Sequence, residues 1–185
     1  KSTRGRGVTV IFGDGAGAAV LSRSEEAGKG ILSSHLHSEG KHAKELVLEG
    51  PSTGRWVPEI LEKNDPDDTS YYPYMNGQFV FKHAITRFSE AIVEGLQANN
   101  LEKDDIDMLI PHQANLRIAQ FIQRKFQLSD DKVYNNIMKY GNTTAASVII
   151  ALTEAWEKGK IKDGDLVVLA AFGSGFTWGS VIMRW

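Results

Sequence analysis

The chain has 185 residues, of which 42% are hydrophobic and 24% are charged, as in an ordinary globular domain. This composition excludes disordered and fibrous proteins, and the net charge of −2 argues against general nucleic-acid binding. The longest apolar runs, such as residues 166–172, fall far short of the roughly 20 residues of a membrane-spanning helix. No signal peptide opens the sequence, so we expect a soluble, cytoplasmic protein without a membrane partner.

The absence of cysteine limits the chemistry of this chain. Without cysteine it supplies neither a disulfide nor a thiolate nucleophile. It begins without methionine and runs almost directly into a predicted strand. We therefore expect residues 1–185 to form a single domain that is part of a longer protein.

The first forty residues are predicted to be rich in strands. Residues 8–12 and 18–22 read as two strands around a tight glycine turn at residues 13–17. The Gly-x-Gly-x-Gly spacing and the lack of a helical period after it argue against a dinucleotide site. We interpret this segment as a hairpin of small residues at a crowded place.

Three histidines lie close together in the sequence. His35 and His37 share one face of a third predicted strand, over residues 31–37, and His42 follows nearby. No carboxylate or cysteine completes a recognisable ligand pattern, which favours solvated histidines over a metal site. Residues 49–68 read as a polar connector with one helical turn around residues 59–63.

The rest of the chain alternates between helices and strands. Apolar residues recur every three or four positions over residues 78–99, which predicts the longest helix. The elements predicted after it are a strand at 107–110, a helix at 114–126, a strand at 133–137, a helix at 145–157 and closing strands at 166–172 and 176–184. This alternation predicts an α/β domain in which a mixed sheet of about five strands carries helices on its faces.

Three loops that follow predicted strands carry suggestive residues, namely His112, Asn142 and Ser174. If their strands are parallel neighbours, the loops meet at the edge of the sheet where ligands usually bind. An imidazole and a carboxamide there can both donate hydrogen bonds to one oxygen, and the glycine-rich turn can offer a peptide N–H. Ser174 is a poor nucleophile candidate because Phe172 replaces the first glycine of a Gly-x-Ser-x-Gly motif.

The predicted helix after His112 has a basic face. Arg117, Gln120 and Arg124 share one side of it, Lys125 is adjacent, and no acidic residue lies between residues 112 and 127. Such a run is either ordinary solvated surface or a landing site for an acidic partner.

Four segments resemble, in order and spacing, the C-terminal half of the β-ketoacyl-acyl-carrier-protein synthase III family. They are FGDGAGAAV at residues 12–20, PHQANLR at 111–117, YGNTTAAS at 140–147 and AFGSGFTWG at 171–179. The resemblance extends from Gly7 to the last residue. It implies one half of a thiolase-like fold, with the family's nucleophilic cysteine in an N-terminal half that this chain lacks.

The resemblance also implies a reaction. The family joins an acyl group from coenzyme A to malonyl on acyl carrier protein, with loss of carbon dioxide, through an acyl-cysteine, and so begins fatty-acid synthesis. By resemblance, His112 and Asn142 are the decarboxylation pair, and the backbone N–H of Ser174 completes the oxyanion hole at a position where the family often has glycine. Acyl-coenzyme A is a substrate, and neither a cofactor nor a metal is expected.

The resemblance extends to binding surfaces. Gly77, Phe81, Ala114, Asn115 and Phe172 match the coenzyme A or pantetheine channel. Arg117 matches the docking arginine for acyl carrier protein, and Arg124 and Lys125 extend its basic face. The implied partners are acyl carrier protein, acyl-coenzyme A, the missing N-terminal half and, in the full-length protein, a second copy in a homodimer.

Two alternatives stay open. One is half of a related condensing or acyl-transferring enzyme of secondary metabolism, which would share the histidine and the asparagine. The other is a non-catalytic domain that binds carrier protein. Because the chain has no cysteine, we expect it to be inactive in condensation when alone.

Overall fold

The computed structural model describes residues 8, 10–50, 70 and 72–185. The strands are β1 (Gly30–Ser38), β2 (Leu46–Val47), β3 (Tyr74–Met75), β4 (Met108–Pro111), β5 (Leu166–Gly173) and β6 (Thr177–Arg184). The α-helices are α1 (Gly77–Ala98), α2 (Leu116–Phe126), α3 (Ile137–Tyr140) and α4 (Ala146–Glu157). Short 3-10 helices cover Gly40–Glu45, Lys103–Asp105 and Asp130–Lys132.

In the described residues the principal sheet has four strands in the order β1-β6-β5-β4. β4 runs parallel to β5, whereas β6 runs antiparallel to both of its neighbours, so the predicted mixed sheet is confirmed. β2 and β3 form a separate antiparallel ribbon that the sequence did not predict. Because β4 and β5 are parallel, the loops after them leave the sheet at the same edge.

Helices cover both faces of the sheet. α1 and α2 pack on one face, where their buried side chains join those of the strands in the larger core cluster. On the other face, Ala151 and Ala155 of α4 pack against Met108, Ile110 and Val167. Because both faces are covered, the central strands read as nearly continuous apolar runs. In the described residues, no helix combines the length and apolar character that a membrane crossing requires.

The long helix is confirmed with nearly the predicted bounds. Asn76 caps its N-terminus by accepting a hydrogen bond from the Phe79 N–H, at 3.4 Å. At its other end the Asn99 side chain donates to the Gly95 carbonyl at 2.7 Å. Phe81, part of the predicted apolar stripe, is only partly buried. It lies beside the cavity described below.

The predicted hairpin near the beginning is wrong. Phe12 makes one isolated parallel bridge to Asn142, and no strand forms over residues 13–22. Val20 and Leu21 are 96% and 77% exposed, so the apolar residues of the second predicted strand are not covered by the described chain. The crowding expected at the glycines is present, because a Cβ added to Gly13 would lie 1.9 Å from the Tyr140 carbonyl oxygen.

Three further predictions need correction or fall outside the structure. The strand predicted over residues 133–137 is wrong, since only Val133 bridges to Leu109 and α3 begins at Ile137. The helix predicted from residue 114 begins at Leu116. The predicted connector at residues 49–68, with its helical turn at 59–63, lies outside the described residues except for positions 49 and 50.

Candidate active site

One large cavity of about 1620 Å³ opens at the edge of the sheet to which β4 and β5 point. It brings together nine of the predicted site residues, namely Gly77, Phe81, His112, Ala114, Asn115, Arg117, Asn142, Phe172 and Ser174. Arg124 and Lys125 do not line it. The walls are mostly apolar, with a few polar groups among them, which is typical of a small-molecule site.

His112 follows directly after β4, where its backbone N–H donates to the Ala170 carbonyl of β5 at 2.8 Å. Its ring is partly buried, and its Nδ1 lies 2.6 Å from the Ser147 Oγ of α4. Burial disfavours the charged imidazolium and lowers the pKa of His112 from its ordinary 6.5 to about 4. At neutral pH, His112 is therefore an uncharged imidazole that retains one N–H donor.

Asn142 lies in the loop before α4 and is only 8% exposed. Its backbone is held by residues 11–13, since its N–H donates to the Ile11 carbonyl at 2.8 Å and its carbonyl accepts from the Gly13 N–H at 3.0 Å. Its side-chain Oδ1 accepts from the Thr144 N–H at 2.8 Å. This contact fixes which way the carboxamide points, and its NH₂ group, which has no hydrogen-bond partner among the described residues, is available as a donor to a ligand.

Ser174 occupies the turn between β5 and β6 and lines the cavity. Its hydroxyl donates to the Leu46 carbonyl at 2.6 Å, and its own carbonyl accepts from the Thr177 hydroxyl at 2.9 Å. The hydroxyl is thus engaged by β2, which agrees with its being a poor nucleophile. The peptide bond between Gly175 and Phe176 in this turn is cis.

Asn115 is the N-cap of α2, where its Oδ1 accepts from the Arg117 N–H at 2.9 Å. Phe172 is buried at the end of β5, with its ring centroid 4.8 Å from that of Phe176. α2 begins at Leu116, two residues later than predicted, because Asn115 is its N-cap and so precedes the first helical residue.

The basic face of α2 is divided by the structure. Arg117 and Arg124 are exposed and stand seven residues apart, hence on the same side of the helix about two turns from each other. Lys125 instead lines a separate pocket of about 260 Å³ together with Glu90 and Glu94 of α1. Within the described chain, no ion pair engages Arg117, Arg124 or Lys125.

The prediction of solvated histidines is wrong for His35, whereas His37 is exposed as expected. The Glu94 Oε2 is hydrogen-bonded to the His37 Nε2 at 2.6 Å, and its Oε1 lies 3.4 Å from the His35 Nδ1. The His35 side chain is only 14% exposed, and His42 packs against Phe79 and His83. No group of three potential ligand side chains in the described residues is arranged to hold a metal ion.

Sequence reasoning missed the residues that hold the two polar loops together. The buried Gln113 accepts the N–H groups of Asn136 and Ile137 on its Oε1, at 3.0 and 3.1 Å, and donates to the Pro111 carbonyl at 2.7 Å. Its own N–H donates to the Ser147 Oγ at 3.1 Å. The available signal was its place next to His112, which does not reveal contacts more than twenty residues away.

A second missed residue is Glu154 on α4. Its carboxylate accepts hydrogen bonds from Asn136 at 2.8 Å, Lys139 at 2.7 Å and Lys158 at 2.5 Å. These donors lower the pKa of Glu154 from its ordinary value of 4.5 to about 2, with Lys139 the largest cause. The cluster fastens α3, which leads into the Asn142 loop, to the side of α4.

Comparison with known proteins identifies relatives of this chain. The sequence model described as 3-oxoacyl-[acyl-carrier-protein] synthase III C-terminal matches residues 96–185, and the model described as 3-oxoacyl-[acyl-carrier-protein] synthase III matches residues 2–40. The chain is 48% identical over 183 residues to the β-ketoacyl-[acyl-carrier-protein] synthase III of Caldanaerobacter subterraneus. The match spans 97% of this chain and 53% of that protein.

Solved structures give the same result. The synthase III of Aquifex aeolicus superposes with a TM-score of 0.84 at 38% identity, covering 97% of this chain and 52% of that one. The synthase III of Thermus thermophilus gives a TM-score of 0.79 at 35% identity, covering 97% and 53%. The fold is therefore thiolase-like, and the chain spans about half the length of these relatives. The chain belongs to the 3-oxoacyl-[acyl-carrier-protein] synthase III family and corresponds to the C-terminal half of its members.

Proposed function

We propose that the chain is the C-terminal part of a ketoacyl synthase III that condenses an acyl group from coenzyme A with malonyl-acyl carrier protein. The carrying observation is that Asn142 and His112 line one cavity, the first with its carboxamide oxygen already occupied and the second uncharged at neutral pH. Both groups are therefore hydrogen-bond donors. Two donors that meet at one oxygen stabilise an oxyanion.

In the proposed reaction, the malonyl thioester loses carbon dioxide and its carbonyl oxygen gains negative charge as the enolate forms. His112 and Asn142 donate hydrogen bonds to that oxygen, where the charge develops in the transition state. The enolate carbon then attacks the acyl group of an acyl-cysteine thioester, and the cysteine thiolate leaves. The backbone N–H of Ser174 faces the oxyanion of this second step.

The chain cannot complete the reaction alone, because it contains no cysteine to carry the acyl group. Gly77, Phe81, Ala114, Asn115 and Phe172 line the cavity. We assign them to the pantetheine channel, whose mostly apolar walls suit the thioester arm shared by coenzyme A and acyl carrier protein. Arg117 stands at the same cavity, and within the described residues no ion pair engages its charge. An exposed positive charge there suits the docking of an acidic carrier protein.

The test joins this chain to the N-terminal half of the Caldanaerobacter synthase III and measures carbon dioxide release and ketoacyl product from acetyl-coenzyme A and malonyl-acyl carrier protein. We expect turnover by the fusion and no condensation by the chain alone. His112→Ala and Asn142→Ala should each lower kcat by about 10² to 10³, as loss of one oxyanion donor does. His83→Ala is the control, because His83 lies on α1 and does not line the cavity, and it should leave kcat unchanged.

Three outcomes would contradict the proposal. Full activity in the His112→Ala fusion would remove the histidine from the chemistry. A fusion that uses malonyl-coenzyme A freely and ignores malonyl-acyl carrier protein would favour a condensing enzyme of secondary metabolism. A folded fusion that binds carrier protein without any turnover would favour a non-catalytic binding domain.

A further inference from the structure

Ser147 is a buried residue of α4 that the proposed chemistry does not use. It is 2% exposed and is the second residue of the helix. Its Oγ has two partners in the described chain, the Nδ1 of His112 at 2.6 Å and the N–H of Gln113 at 3.1 Å. A single hydroxyl therefore contacts the catalytic candidate and the residue after it.

The direction of these hydrogen bonds follows from counting protons. A peptide N–H can only donate, so the Ser147 oxygen accepts from Gln113. The hydroxyl has one proton of its own, and among the described residues the acceptor within hydrogen-bond distance of it is the His112 Nδ1. An Nδ1–H tautomer would leave the hydroxyl proton buried without an acceptor, which is unfavourable.

We infer that Ser147 is a positioning residue that fixes His112 as the Nε2–H tautomer, with the hydroxyl of Ser147 donating to the His112 Nδ1. The ring nitrogen away from α4 then carries the proton and faces away from Ser147 as a donor. Burial lowers the pKa of His112 to about 4, so the ring is uncharged at neutral pH and carries a single N–H. A neutral imidazole has one N–H, so its position decides which nitrogen can donate to substrate.

The same turn of chain also orients Asn142. The Thr144 N–H occupies the Asn142 Oδ1, and Ser147 lies three residues further along, at the start of α4. The segment over residues 144–147 thus contacts both side chains on their acceptor atoms, which leaves the Asn142 NH₂ group and the His112 Nε2–H as donors. The catalytic value of this arrangement rests on the proposed function, whereas the tautomer itself does not.

The test is long-range ¹H–¹⁵N NMR of the ring nitrogens in the 185-residue chain at pH 7, without substrate. The chain has five histidines, and the His112 signals are assigned by their loss in His112→Gln. We expect the wild-type ring to be protonated on Nε2 and unprotonated on Nδ1. The Nε2–H tautomer should outnumber the Nδ1–H tautomer by at least about tenfold, the ratio that one buried hydrogen bond supports. A wild-type ring protonated on Nδ1 overturns the inference, whether or not any variant folds.

Three variants separate positioning from general structure. Ser147→Ala should reduce the preference to within about threefold, because the donor to Nδ1 is gone. Ser147→Thr keeps the hydroxyl and should restore the wild-type tautomer. Ser89→Ala, which removes another buried helical hydroxyl bonded to the Ile85 carbonyl at 2.8 Å, should leave it unchanged.

An unchanged tautomer in folded Ser147→Ala would also overturn the inference. This result is independent of the turnover test above. An inactive fusion with the expected tautomer refutes the function alone, and an active fusion with the other tautomer refutes the inference alone.

Discussion

His112 combines a position that the sequence predicts with an environment that it does not. The change from a strand period to a helical period around residue 112 places the histidine at a strand end. Its pKa and its partner Ser147 depend on packing between β4 and α4, which are 35 residues apart at this contact. Sequence periodicity can locate such a residue, but its protonation state depends on packing that only the fold shows.

The lowered pKa of His112 predicts a pH dependence of stability. Below pH 6.5 the unfolded chain takes up a proton on this residue, while the folded chain does not until about pH 4. Stability should therefore fall as the pH drops through this window, by up to about 3 kcal/mol. Urea unfolding at pH 7 and pH 4.5 measures the loss.

His112→Gln is the comparison, since it removes the titrating group. Its stability should change less between the two pH values than that of the wild type. An NMR titration in which His112 protonates near pH 6.5 would contradict the assignment of a buried, neutral ring.

At the scale of elements, the glycine segment shows how a correct observation led to a wrong structure. The sequence indicated small residues at a crowded place, which is confirmed at Gly13. It did not indicate that the neighbour is the Asn142 loop and α4 in place of a second strand of a hairpin. A short run of apolar residues can predict a strand, but it does not say which element the strand packs against.

Gly13→Ala should be destabilising because its Cβ would lie 1.9 Å from the Tyr140 carbonyl oxygen. Forcing an extra methyl into such a contact typically costs about 1 to 3 kcal/mol. Gly40→Ala is the matched control, since nothing lies within 4 Å of its added Cβ. Urea denaturation compares the two, and equal stability of both variants would contradict the close packing.

The α2 helix makes a prediction about carrier binding. Arg117 stands at the cavity, whereas Lys125 lies beside Glu90 and Glu94. Arg117→Glu should weaken binding of acyl carrier protein by about tenfold or more, and Lys125→Glu should weaken it much less. Titration by calorimetry at low and high salt measures both, and salt should weaken the wild-type complex.

Affinity for carrier protein that is independent of salt and equal in wild type and Arg117→Glu would refute this docking face. The sequence alone placed Arg117, Arg124 and Lys125 on one basic surface. Their separation into two neighbourhoods depends on where α1 packs against α2, which helical periodicity does not determine.

At the scale of the whole molecule, the sequence was sufficient for the order of the layers. The long helix and the central strands have strong periodicity and were predicted within a few residues. The β2–β3 ribbon was missed because strands of two residues carry no pattern. The strand expected at residues 133–137 reduces to one bridge because the chain turns into α3.

The exposed apolar residues of the glycine-rich segment over residues 13–22 predict self-association. Val20 and Leu21 are largely uncovered, and exposed apolar surface of this kind promotes contacts between molecules. Sedimentation velocity of the chain should show species that grow with concentration. The double variant Val20→Ser and Leu21→Ser should reduce them, whereas Val93→Ser, which is 39% exposed on α1, should not. A monomer at every concentration would contradict the prediction.

The shared turn at the start of α4 has a consequence for protein design. Thr144 and Ser147 lie three residues apart, and each contacts one of the two proposed donors, Asn142 and His112. Grafting the two donors into another scaffold therefore requires transfer of residues 142–147 together with the loop at residues 111–113. Copying the two side chains alone would transfer the chemical groups without the contacts of Ser147 and Thr144 that orient them.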